Sequence, residues 1–329
     1  MVSIEQPSYV SKKGDSFECG LCPNHCRLSE GKSGLCRGRS VKGGRLLIDN
    51  YGKVTSIAMD PIEKKPLYHY YPGSYILSVG SYGCNMDCRH CQNHSISQDP
   101  IGNRYRYVSP EDLVSICHEE GSEALAFTYN EPTVWYDYVR DVMECGPDIR
   151  YVLVTNGYIE RGPLDVLCGS TDAMNIDVKG FTEDFYRDVC GARLHNVLET
   201  CSTVFRRGIH LELTYLIIPG YNDTEDQFSR FSGWVCDKLS CEVPVHFTRF
   251  HPDNRMTYVS PTPIGTMEGA RDIAKGAGLI NVYLGNVPGT SVTSCPGCGK
   301  ELIRRSYDGI ESSLKGNVCD CGRRLYLRA

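Results

Sequence analysis

The sequence predicts an α/β protein built on a parallel sheet, with a small cysteine-rich metal-binding appendage at each terminus. Three observations carry this reading. Between about residues 75 and 285, short β-rich runs alternate with amphipathic helical stretches. The chain holds 18 cysteines, and eleven of them fall into three tight groups. One group lies just after the first strand of the alternating region, and the other two flank that region on either side. The implied division is 1–45 for an amino-terminal four-cysteine region, 46–290 for the α/β domain and 291–329 for a carboxy-terminal ribbon.

The strands expected from apolar, β-branched and aromatic runs are 75–79, 124–128, 151–155, 173–178, 211–217 and 243–250, with a short seventh at 280–284. The helices between them are marked by their ends. Ser109-Pro110-Glu111-Asp112 sets a cap followed by proline in the first turn, and Gly121 follows as a stop. Asn196 with Glu199 opens another helix, which closes on the basic pair Arg206-Arg207 before Gly208. Thr224 with Gln227 reads as a capping box. Repeated βα units of this length leave an open doubly wound sheet, a full barrel and a partial barrel all standing. In each of them reactive groups collect at the carboxyl ends of the strands.

Composition bounds the class. The chain has 329 residues, 41% hydrophobic and 23% charged, which excludes a disordered or fibrous protein and leaves room for one full core with appendages. No apolar run approaches the roughly 20 residues of a membrane span, so no membrane partner is expected. Residues 1–7 lack a basic segment followed by an apolar core, and the chain is read as cytoplasmic. Thiols stay reduced there, so grouped cysteines read as metal ligands rather than disulfides. The seven cysteines outside the groups are read as buried and inert. The net charge of -5 conceals basic flanks, but thiolates on a bound metal offset that excess, and it identifies no nucleic-acid partner.

The central group is Cys84-Asn85-Met86-Asp87-Cys88-Arg89-His90-Cys91, after a strand and the breaker Gly80-Ser81-Tyr82-Gly83. Three thiolates on one short loop suit three corners of an iron–sulfur cube and leave the fourth iron open, as a catalytic centre requires. Zinc fits less well, with no histidine at the usual spacing.

This C-x3-C-x2-C loop after the first strand of a βα array resembles that of the radical S-adenosylmethionine (SAM) superfamily. The resemblance implies a partial (β/α)6-type TIM barrel. It also implies a 4Fe–4S cluster on Cys84, Cys88 and Cys91, with SAM bound at the open iron. Thr128-Tyr129-Asn130-Glu131-Pro132 stands where the superfamily's Gly-Gly-Glu motif lies. Glu131 supplies the carboxylate, while Tyr129 and Asn130, the latter also read as a cofactor contact, depart from the glycines. Asn93, Asn156 in Thr155-Asn156-Gly157, Asp177 with Lys179, and His251 are similar to the pyruvate formate-lyase activating enzymes. By that likeness Glu131 faces the SAM ammonium, Asn156 the ribose and Lys179 the SAM carboxylate, while His90 stacks near the adenine. The residue readings standing beside these are a helix cap for Glu131 and a surface ion pair for Asp177 and Lys179. His246, in mid-strand, is read as a core histidine. Cys22-Pro23-Asn24-His25-Cys26, the 60–69 segment Asp-Pro-Ile-Glu-Lys-Lys-Pro-Leu-Tyr-His and Cys91-Gln92-Asn93 further resemble the AmmeMemoRadiSam radical SAM proteins over essentially the whole chain.

Cys295, Cys298, Cys319 and Cys321 form two knuckles around a stretch able to make a hairpin, the pattern of a zinc ribbon. Cys19, Cys22, Cys26 and Cys36 suit zinc or a second cluster equally. The segment 60–71, rich in lysine and tyrosine, either lines a substrate cavity or packs as core. The expected activity is reductive cleavage of SAM to a 5′-deoxyadenosyl radical for hydrogen abstraction. An electron donor such as a ferredoxin or flavodoxin, and a protein or RNA substrate, are the partners implied. Two alternatives stand beside this: a glycyl-radical activase acting on a partner enzyme, and a zinc-dependent binding module without catalysis.

Overall fold

A computed structural model of the chain describes residues 7–98 and 104–329. Residues 1–6, most of the stretch read for a leader, lie outside the described residues. The central sheet contains β1 (Ser56–Pro61), β2 (Tyr75–Gly80), β3 (Ala124–Phe127), β4 (Arg150–Thr155), β5 (Ala173–Asp177), β6 (His210–Ile217), β7 (Val245–Arg249) and β8 (Val282–Gly285). They lie side by side in chain order. β2 to β8 are parallel, and β1 pairs antiparallel with β2. β1 and β8 do not pair with each other among the described residues, so the barrel is partial. All seven expected strands are present within a few residues. β1 was not expected, because an edge strand that is mostly half-buried carries no continuous apolar run.

The helices of seven or more residues are α1 (Pro110–Glu119), α2 (Tyr136–Cys145), α3 (Arg161–Leu167), α4 (Leu194–Arg206), α5 (Glu225–Lys238) and α6 (Ile264–Gly276). α1 starts as its sequence indicates: Ser109 accepts the Asp112 N–H at 3.1 Å, and Asp112 accepts the Ser109 N–H. α4 starts at Leu194, two residues before Asn196. Its cap comes from Glu183, which accepts the N–H groups of Leu194 and His195 at 2.9 and 3.0 Å. At α5, Thr224 accepts the Gln227 N–H, but the Gln227 amide turns to Phe181 and Tyr221, so only half of the box forms.

Inside the barrel the 60–71 segment acts as a plug. Ile62, Leu67 and Tyr70 pack with Ile76, Ala124, Ala126, Val152 and Ala173 in one buried cluster. The three alanines leave the space that the plug fills. Burying each of Ile62 and Leu67 stabilises the barrel by about 1.5–3 kcal/mol. The packing alternative for this segment therefore holds for its apolar residues. Beneath it, the fully buried Glu212 accepts the N–H groups of Tyr68 and His69 and pairs with His210 and His246. His246 is a satisfied core histidine, as expected.

The carboxy-terminal unit is a three-stranded antiparallel sheet (Ser291–Ser294, Glu301–Ser306, Gly309–Ser312) that includes the expected hairpin. It covers the amino ends of the strands: Arg305 donates to the Tyr68 carbonyl, Arg328 N–H to that of His69, and the Tyr326 hydroxyl accepts the Leu211 N–H. At the other terminus, strands Val10–Lys13, Ser16–Cys19 and Arg27–Leu28 precede a hairpin of Arg39–Lys42 and Arg45–Ile48. The expected boundary at residue 45 falls inside this hairpin, so the amino-terminal unit runs past it. Of the seven ungrouped cysteines, Cys117, Cys168, Cys190 and Cys201 are buried, but Cys145 is exposed. Cys236 and Cys241 are joined in a disulfide, because the turn after α5 folds one back on the other. For those three the inert-core expectation is corrected. No helix among the described residues is long and apolar enough to cross a membrane.

Candidate functional site

The cysteine loop leaves the carboxyl end of β2 through two close approaches. A Cβ on Gly80 would sit 2.6 Å from the Thr128 carbonyl oxygen, and one on Gly83 2.1 Å from that of Cys36. Gly83 also has φ +88°, a backbone state that glycine adopts without strain. Asn130 clamps the approach by accepting the Ser81 N–H at 2.9 Å and donating to the Gly83 carbonyl at 3.1 Å. Asn93 holds the far side, donating to the Tyr129 carbonyl at 2.7 Å. These two asparagines, read as cofactor contacts, both grip backbone in this structure.

Glu131 is 3% exposed and fully engaged. Its carboxylate accepts from Thr133 N at 2.9 Å, Thr155 Oγ1 at 2.7 Å and Asn156 N at 2.8 Å. Burial raises its pKa, and these bonds oppose the rise. It caps the 3-10 turn Pro132–Trp135 and ties the β3 loop to the β4 loop. Asn156 then donates to the Cys84 sulfur at 3.5 Å and to Asn85 Oδ1 at 2.9 Å. So Glu131 reaches the cysteine loop through Asn156.

Cys88 is buried, and Cys84 and Cys91 are half-buried. Burial raises the thiol pKa of Cys84, and pushes that of Cys91 up to about 11. Cys88 is raised by a hydrogen bond with Cys190 and by burial. Without a metal these thiols keep their protons and are poor nucleophiles; metal is what makes them thiolates. Cys190, read as inert, sits on the π-helical turn Tyr186–Cys190, whose carbonyls at Val189 and Cys190 accept the N–H groups of Arg89 and Asp87 at 2.9 Å. No local pattern marks it, because the loop and the turn are a hundred residues apart.

Lys179 Nζ lies 2.9 Å from Asp177 Oδ2, with the lysine side chain 15% exposed. Burial opposes its charge, but Asp177, with Cys88 and Cys190 beside it, outweighs burial and raises its pKa. The pair is thus not a solvated surface bridge. Its charge reaches His90, whose pKa falls to about 3 through burial and then Lys179. The His90 ring stacks on Phe185, and its Nδ1 is buried with no hydrogen-bond partner among the described residues. His251 is exposed and makes no side-chain hydrogen bond among the described residues. Its neighbours do the contacting instead: Asn254 donates to the Cys88 carbonyl at 3.3 Å and Arg255 to that of Asp87 at 2.6 Å.

These residues fit an iron–sulfur cluster with a charged cofactor. Three thiols, an N–H group (Met86) and an amide (Asn156) aimed at sulfur, an ammonium–carboxylate pair and an orphaned ring nitrogen are gathered beyond the strand ends.

In the carboxy-terminal unit, Cys295, Cys298, Cys319 and Cys321 bring their sulfurs within 4.8 Å of one another. The Cys295–Cys321 and Cys298–Cys319 pairs stand at 3.6 and 3.8 Å. This set can hold one metal ion in a closed tetrahedron. Among the described residues no other group of cysteine, histidine or carboxylate ligands closes this tightly. The amino-terminal set, Cys19, Cys22, Cys26 and Cys36, instead lines one cavity.

A model of the Radical SAM superfamily matches residues 78–231. An uncharacterized protein of Methanocaldococcus jannaschii is 45% identical over 302 residues, 90% of either chain. The pyruvate formate-lyase 1-activating enzyme of Escherichia coli K12 is 25% identical over 216 residues, 60% of this chain and 87% of its own length. The crystal structure of a radical SAM methyltransferase from Sphaerobacter thermophilus shares the fold, with a TM-score of 0.51 at 14% identity over 65% of this chain and 67% of that one.

Proposed function

This chain belongs to the radical SAM superfamily, and from that premise we propose that it reductively cleaves SAM to abstract hydrogen from a substrate. The observation that carries the proposal is the meeting of the three-thiol loop with the Asp177–Lys179 pair around buried Cys88. Cys84, Cys88 and Cys91 hold the cluster. When bound, the cluster and SAM supply one-electron cleavage of a sulfonium carbon–sulfur bond and the resulting carbon radical. Lys179, kept charged by Asp177, binds the cofactor carboxylate. Asn156 orients Cys84 and is itself held by Glu131, which makes Glu131 a positioning residue. His90, neutral at pH 7, offers an apolar face and an unpaired nitrogen to the cofactor. The carboxy-terminal four thiolates hold a structural zinc.

The test is anaerobic reconstitution with iron and sulfide, then SAM and dithionite, with 5′-deoxyadenosine measured. Wild type should form it and Cys88→Ala should not. Reductive cleavage persisting in Cys88→Ala overturns the assignment. A second reading, a glycyl-radical activase, is supported by similarity to the pyruvate formate-lyase 1-activating enzyme. It expects a protein-centred glycyl radical on a co-expressed partner by electron paramagnetic resonance.

A further inference from the structure

We propose that Cys19, Cys22, Cys26 and Cys36 hold a second four-iron, four-sulfur cluster, placed to pass electrons into the cluster of the Cys84 loop. The inference rests on the reading that Cys84, Cys88 and Cys91 carry that catalytic cluster.

The chain contains its own standard for what a thiol set encloses. One zinc with four thiolates at about 2.3 Å draws its sulfurs to roughly 3.8 Å from one another. The carboxy-terminal set has that spacing, with sulfur pairs at 3.6 and 3.8 Å. The Cys84 loop does not gather its sulfurs within 4.8 Å of one another as the carboxy-terminal set does, as suits thiolates bound to separate irons. The amino-terminal set behaves like the Cys84 loop: four thiols surround a cavity without closing on a point.

The cavity has further features of a cluster site. Its walls include Leu21, Leu28 and Val134, which exclude water. Gly34 faces it: a Cβ there would lie 3.7 Å from the Cys36 sulfur and 3.8 Å from that of Cys26, filling the cradle. Two donors point at sulfur, Gly38 N–H at Cys36 (3.4 Å) and Arg39 Nη1 at Cys19 (3.5 Å). Such N–H···S contacts set the potential of an iron–sulfur centre. Arg39 is itself fixed by Asp137 at 2.5 Å, with both side chains 2% exposed.

Its position supplies the role. Asn85, the residue after Cys84, lines the same cavity, and its carbonyl accepts from Asn24 Nδ2 at 2.7 Å. The Cys36 carbonyl lies against Gly83, the residue before Cys84, so the Cys36 and Cys84 Cα atoms lie within about 10 Å of each other. In the relay, one electron leaves a low-potential one-electron protein donor, reduces the amino-terminal cluster and moves on to the catalytic cluster. No bond forms or breaks and no proton moves in that transfer.

The experiment is metal analysis with Mössbauer and electron paramagnetic resonance spectroscopy on the anaerobically reconstituted full chain. Four forms are compared: wild type, Cys22→Ala/Cys26→Ala, Cys84→Ala/Cys88→Ala/Cys91→Ala and Cys319→Ser. Wild type should carry about eight irons and one zinc, and each of the first two variants about four irons. Cys22→Ala/Cys26→Ala should keep the SAM-perturbed spectrum and dithionite-driven turnover. With reduced flavodoxin as donor its turnover should fall at least tenfold further than with dithionite. About four irons in wild type with none in the Cys84-loop variant, and a second zinc that Cys319→Ser retains, overturns the inference and leaves the catalytic reading intact. Iron confined to the amino-terminal set overturns the catalytic reading instead. If either cysteine variant fails to fold, the wild-type iron count alone decides the number of clusters. An equal loss with both donors overturns the relay.

Discussion

At the carboxy terminus four cysteines close on a single point, and at the amino terminus four cysteines stand around a space. The two sets share ligand type and number, and differ in what positions the thiols. The carboxy-terminal knuckles flank one hairpin and share a small core of Leu302, Ile303, Leu325 and Leu327. The amino-terminal thiols come from three short segments pinned to the barrel by Asn24, Arg39 and the Cys36 carbonyl. One set is gathered within its own small unit; the other is held against the barrel. The ends they serve differ accordingly. The ribbon covers the buried Glu212 network at the amino ends of the strands, whereas the amino-terminal unit borders the Cys84 loop.

The sharpest break of this comparison is Cys319→Ser. It should remove the ribbon's metal and with it a folding contribution on the order of 10 kcal/mol for that unit. Mass spectrometric metal analysis should show the loss of one zinc, and limited proteolysis should cut within 291–329 while the barrel persists. On the opposite side, Arg39→Ala strands Asp137 in the interior and should cost about 3–5 kcal/mol in urea unfolding. The double variant Arg39→Met/Asp137→Leu should recover most of it.

Acid should act on the ribbon-covered end. Burial lowers the His69 pKa from 6.5 to about 4, against the pull of Glu212. The unfolded chain therefore takes up a proton between about pH 6.5 and 4 that the folded chain refuses. Stability is complete above that window and falls through it, by about 3 kcal/mol from this residue. Glu212, held below its ordinary pKa by His210 and His246 despite burial, adds a further loss at lower pH. Melting temperature against pH should show the slope, and His69→Phe should flatten the part above pH 4. The smallest effect belongs to the catalytic end: Thr155→Val removes one donor to Glu131 and should cost about 1–2 kcal/mol by thermal unfolding.

The seven parallel strands, the Ser109 cap and the cysteine groups were legible because each is written in neighbouring residues: a period, a capping pair, a short ligand spacing. Among the site residues, the Cys84 loop and the Asp177–Lys179 pair were legible for the same reason. Asn93 and Asn130 were legible as important positions, yet their contacts are to backbone. Glu131 illustrates the limit: two readings stood in the sequence, cap and ligand, and its three donors come partly from β4. His251 was singled out, while Asn254 and Arg255, three and four residues on, reach the loop.

By itself the sequence determined the fold class and the three cysteine groups, one on the loop after the first parallel strand and one at either flank. Only the tertiary structure decided that Glu183 caps α4, that Cys190 faces Cys88, that the 60–71 segment plugs the barrel and that Gly83 abuts Cys36. Periodicity and spacing act within a turn or two of chain. Which thiols share a metal, and how far apart they are held, depends on segments that meet only after the barrel has curled.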